Sequence, residues 1–131
     1  MEDSAKLVHI LAQHGVDVVD ISSGGNSAAQ KLGTFGTPTQ SDMAKQIRDT
    51  LPAAGLEGKI LISAVGGIKD GKTAEKYLQE EKADLITVGR QFQKNPGTVW
   101  AFAEDLDISI YVAKQIGWGF GGRGTSVTRK A

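Results

Sequence analysis

The chain has 131 residues, with 15 basic and 15 acidic side chains, and no cysteine. That length suits one domain with a real core, and the balanced charge gives no electrostatic reason to bind nucleic acid or an anionic membrane. The lack of cysteine excludes disulfides and thiolate metal sites and suits a reducing compartment. No apolar run reaches membrane-spanning length, and Met1-Glu2-Asp3-Ser4 lacks the basic start of a signal peptide, so a soluble, cytoplasmic protein is expected.

Asp3 or Ser4 can cap a first helix, along which Leu7, Val8 and Leu11 fall at helical spacing, and Gly15 is a natural stop. Residues 16–21, rich in β-branched side chains, read as a strand running into Ser22-Ser23-Gly24-Gly25. Residues 22–36 are polar and small, a long loop of the kind that usually carries function. Thr39 or Ser41 then caps a helix with Met43, Ile47 and Leu51 at steps of four, ended by Pro52 and Gly55.

Residues 60–65 form a nearly continuous apolar run ending in Gly66-Gly67, which suggests a parallel strand covered by helices on both faces. Asp70 caps the next helix, with Ala74, Tyr77 and Leu78 inward and Glu75, Lys76, Glu80 and Glu81 outward. Residues 83–88 are a third strand, ending in Gly89-Arg90. Asn95-Pro96 reads as a cap and first-turn proline, opening a helix with Val99, Trp100, Phe102, Ala103 and Leu106. This alternation predicts an α/β fold with a parallel sheet over residues 1–109. Beyond, 110–131 is a tail whose stretch from Trp118 to Gly124 is too glycine-rich for a helix.

Three strand ends at small residues suggest one rim, and a phosphate is the ligand to look for there. A glycine at a strand end exposes the main-chain amides, and an arginine beside it can grip an anion. Gly66, Gly67, Gly89 and Arg90 are the candidates; the plainer alternative for Arg90 is a pair with a surface carboxylate. A different reading takes residues 66–73 as a P-loop, since they match G-x-x-x-x-G-K-[ST] between a strand and a helix. Lys72 would then hold nucleotide phosphates and Thr73 a magnesium ion. Against this, no later strand ends in an aspartate for the metal, and Asp70 would face the phosphates. His9 and His14 lie on different helix faces without ligand partners, Asp20 suits a structural role near the rim, and the single Arg-Gly unit of the tail is no RNA-binding repeat.

Taken together, Gly15-Val16-Asp17-Val18-Val19-Asp20-Ile21-Ser22-Ser23-Gly24, then Ala64-Val65-Gly66-Gly67-Ile68, then Ala83-Asp84-Leu85-Ile86-Thr87-Val88-Gly89-Arg90-Gln91-Phe92 with Asn95-Pro96 resemble the old yellow enzyme family, closest to its NADPH dehydrogenase (thermophilic-type) branch, which has relatives in fungi. The likeness runs from about residue 3 to about 124. It implies an FMN-dependent (β/α)8 TIM barrel in which NADPH reduces the flavin and the flavin reduces an activated alkene. On this chain the three strands resemble the sixth, seventh and eighth of that barrel. Gly66, Gly67, Gly89 and Arg90 fall where the family holds the FMN phosphate, and Ser23-Gly24-Gly25 near the cofactor's rim.

The resemblance also implies what is missing. The family's substrate-binding His/His or His/Asn pair, its proton-donating tyrosine and the arginine beside the flavin pyrimidine have no counterpart here, so no catalytic residue is assigned. Gln115-Ile116-Gly117-Trp118 stands where some relatives carry an arginine that reaches a neighbouring subunit; Arg123 is the nearest substitute. A full barrel needs about 250 residues. The chain is therefore expected to be the C-terminal part of such an enzyme, whether a truncated product, a gene-model fragment or a split half. Such a part would bind FMN weakly, be inactive alone toward an enone-type substrate, and pair with a copy of itself or with an N-terminal barrel fragment.

Overall fold

A computed structural model describes residues 1–24, 27–29 and 39–121. Most of the loop expected at 22–36, together with Gly25, Arg123 and the end of the tail, lies outside the described residues. The described chain is α/β, with a three-stranded parallel sheet in the order β1 (Val18–Ile21), β2 (Leu61–Val65), β3 (Leu85–Thr87). The helices are α1 (Glu2–Gln13), α2 (Gln40–Arg48), α3 (Gly71–Gln79), α4 (Arg90–Lys94), α5 (Thr98–Asp105) and α6 (Trp118–Gly121).

Register follows from side-chain alternation. Val18, Val19, Asp20 and Ile21 stand beside Leu61, Ile62, Ser63 and Ala64, and Ser63, Ala64 and Val65 beside Leu85, Ile86 and Thr87. Ile21, Ile62 and Ala64 thus share one face, and helices α1 and α2 seal it with Val8, Ala12, Ala44 and Ile47. Asp84 locks this arrangement. Its carboxylate accepts from the Ile62 amide at 2.9 Å and from Arg48 Nε at 3.1 Å, tying α2 to the start of both β2 and β3. His9 of α1 meets Thr50, just past α2, at 2.8 Å.

Helix α2 begins with the capping box that Thr39 promises: the Asp42 amide donates to Thr39 Oγ1, and the Thr39 amide to Asp42. Lys82 reaches the same Asp42 carboxylate at 2.9 Å, and with the Thr39 bonds holds its pKa down at about 2. Lys82 is raised in turn by Asp42.

The structure differs from the sequence expectation in four places. The sheet is not covered on both faces: Val18, Leu61 and Leu85 share the face opposite the helices and are 40–45% exposed. Its apolar run is real, but among the described residues nothing covers Leu61. Helix α1 starts at Glu2 with Met1 as a cap that offers no side-chain bond, so neither Asp3 nor Ser4 is the cap, and Leu7 is exposed. Asn95 precedes a turn at Pro96 and Gly97, and α5 opens at Thr98, leaving Val99 exposed; the Asn95 side chain accepts from the Gly97 amide. A short helix does form at Trp118–Gly121, where glycine content argues against one. The ring of Phe120 packs edge-on against Trp100 at 4.8 Å, and this tertiary contact outweighs low intrinsic propensity.

Candidate functional site

At the carboxyl end of the sheet, the segments after β2 and β3 turn outward and leave a cleft of about 520 Å³. All four residues singled out from the sequence, Gly66, Gly67, Gly89 and Arg90, line it. Ser22 and Ser23, after β1, line it too, so all three strand ends contribute. In an open parallel sheet this is the end at which ligands bind.

The two glycines after β2 have φ of +108° and +72°, a region that side chains with a Cβ rarely adopt. A Cβ on Gly66 would press against the Gln40 side chain, so α2 approaches the loop closely there. At Gly67 and Gly89 a Cβ would meet no protein atom within 4 Å, leaving the bare main chain open to a ligand. Arg90 is exposed and makes no ion pair among the described residues, so the alternative of a surface carboxylate partner has no support there.

Two further cations, Lys69 and Lys94, face the same cleft, and among the described residues no carboxylate lines it. Sequence reasoning missed both. Lys94 stands four residues after Arg90, one helical turn away, but that spacing signals nothing until α4 is recognised. Lys69 lies two residues beyond Gly67 in a segment without periodicity. Amides freed by glycine, one guanidinium and two ammonium groups make a site suited to a phosphate monoester.

The same segment does not make a P-loop. Asp70 caps α3, accepting from the Thr73 amide at 2.7 Å and from the Thr73 hydroxyl at 3.1 Å. These bonds hold the Asp70 carboxyl below its ordinary range and place a carboxylate against Thr73. The Gly71 amide is also taken, by Asp105 at 2.8 Å, and Gly71 is buried so closely on α5 that a Cβ would collide with the Phe102 carbonyl. Lys72 is exposed and does not line the cleft. No cluster of three or more potential metal ligands occurs among the described residues, and none of their helices is long and apolar enough to cross a membrane.

No family model matches the chain. Curated relatives do. An NADH:flavin oxidoreductase of Gibberella zeae is 42% identical over 132 residues, covering 100% of this chain and 30% of the relative. NADPH dehydrogenases of Bacillus pumilus and Bacillus subtilis are 36% and 33% identical over 80% and 82% of this chain. The chain spans about 30% of the length of these relatives. On this similarity, which reaches from end to end of the chain, it belongs to the old yellow enzyme family of NADH:flavin oxidoreductases and NADPH dehydrogenases.

Proposed function

We propose that this chain supplies the phosphate-binding rim of an FMN site in an oxidoreductase that uses NAD(P)H to reduce activated alkenes. The observation that carries this reading is the cleft itself: three strand ends, open main chain at Gly67 and Gly89, and three cations without a lining carboxylate among the described residues. Gly66, Gly67, Gly89 and Arg90 would hold the phosphate, with Lys69 and Lys94 adding positive potential. FMN, when bound, supplies the hydride chemistry between NAD(P)H and the alkene. The chain's own part is to bind and orient. On this reading the part alone is a binder with little or no turnover.

The sheet fits strands six to eight of a (β/α)8 TIM barrel, with residues 1–109 as the partial barrel and 110–131 as a tail. The support is the parallel order, the edges of β1 and β3 left open among the described residues, and an apolar inner face at Val18, Leu61 and Leu85 that further strands would cover. A barrel segment carrying the remaining strands is the corresponding partner, with a second copy of this chain as the alternative.

Titration with FMN and riboflavin tests the central point, because the two differ only in the phosphate. FMN should bind at least about 10-fold more tightly, and Arg90→Ala should remove most of that difference, as expected for hydrogen bonds to a charged group. Equal affinity for the two flavins would sink the phosphate assignment.

A further inference from the structure

The uncovered face of the sheet carries one polar feature that phosphate binding does not use. Asp20, Ser63 and Thr87 come from three neighbouring strands, and their side chains form one chain of hydrogen bonds. Ser63 Oγ lies 2.8 Å from Asp20 Oδ1 and 2.7 Å from Thr87 Oγ1. Ser63 is 2% exposed, whereas Thr87 is exposed and lines the cleft.

The direction of both bonds follows from counting protons. An ionised carboxylate only accepts, and a hydroxyl has one proton to give. Ser63 therefore donates to Asp20 and has to accept from Thr87. The single proton of Thr87 is then committed to Ser63, and only lone pairs remain on its oxygen for the cleft. Towards a ligand, Thr87 is an acceptor.

We infer that Thr87 receives a hydrogen bond from a hydroxyl of the ligand's polyol chain and so selects for a phosphate carried on a polyol. This rests on the FMN reading and deepens it, since the ribityl chain joins the phosphate to the ring. The rim presents donors: the main-chain amides, Arg90, Lys69 and Lys94. Thr87 presents an acceptor two residues back along the chain from Gly89, roughly 7 Å at strand rise. A phosphate dianion has no proton to give Thr87, so the two features sort the ligand's ends. The anion goes to the rim and a hydroxyl to the strand.

The test compares FMN with an analogue whose ribityl chain is replaced by a plain pentyl chain, the 5′-phosphate kept, on the intact 131-residue chain. The wild type should prefer FMN. Thr87→Val, which keeps the branched shape, should shrink that preference about 5-fold, the size of one neutral hydrogen bond. Thr87→Ser should retain it, and inorganic phosphate should compete equally well against all three proteins. An unchanged preference in Thr87→Val, or a parallel loss of phosphate affinity, overturns the role of Thr87 while leaving the phosphate rim standing. If the wild type binds neither flavin phosphate, both the rim and Thr87 assignments fall.

Discussion

The two faces of the sheet share the same strands and alternate residue by residue, yet their surroundings differ. On the back, Ile62 and Ala64 are 0% exposed beneath α1 and α2. On the front, Leu61 looks onto an uncovered surface, where Val18 and Leu85 are also exposed, while Ser63 is buried between Asp20 and Thr87. The back face is finished within this chain. The front is apolar at one end, polar towards the rim, and unsealed among the described residues. Stability is therefore concentrated on one side of the sheet and ligand chemistry on the other.

Paired substitutions at adjacent residues test that division most strongly. Ile62→Ala should lower unfolding free energy by about 3 kcal/mol, because it opens a cavity under α2. Leu61→Ala, one residue away, should cost less than about 1 kcal/mol, because its side chain is already 42% exposed. Denaturant unfolding of the two variants reads both values. Equal losses would mean that the front face is covered in solution, and the comparison between faces would break.

A smaller effect comes from the back side, where Asp42 joins the start of α2 to Lys82. The Asp42 pKa falls from its ordinary 3.8 to about 2, first through Lys82 and then through Thr39. A depressed carboxylate stabilises the fold above its unfolded pKa and loses that contribution as pH falls through the folded value. The contribution should be complete above about pH 4 and gone near pH 2. Because Asp42 is 39% exposed, its size after solvent screening is about 1 kcal/mol. Asp42→Asn should be less stable than wild type by that amount at pH 6 and equal to it near pH 2. A gap that persists unchanged at low pH would show that the ionised pair is not its source.

Much of this architecture was legible in the residues. The runs at 16–21, 60–65 and 83–88 place all three strands to within two residues, and the glycines that follow mark the strand ends that line the cleft. Thr39 and Asp70 cap the helices expected of them because both are short polar side chains with a following first turn to bond. What the sequence concealed depends on distant contacts. The helix at Trp118–Gly121 depends on Trp100 and violates local propensity. Helix α4 has only five residues, too few for a periodic signal, so Lys94 stayed unnoticed. Ser63 is the one polar residue in an apolar run, but nothing local says that Asp20 and Thr87 flank it across the sheet. The P-loop letters illustrate the converse. The pattern is present, but Asp105 takes the Gly71 amide that would serve a nucleotide, and Asp70 sets a carboxylate against Thr73.

The most direct test of the rim follows the backbone amides of the isotopically labelled chain by NMR as FMN is added. The largest shifts should fall on Gly66, Gly67 and Gly89, and inorganic phosphate alone should move the same three resonances. Shifts centred on Gly71, Lys72 and Thr73, or none at the strand-end glycines, would contradict the account.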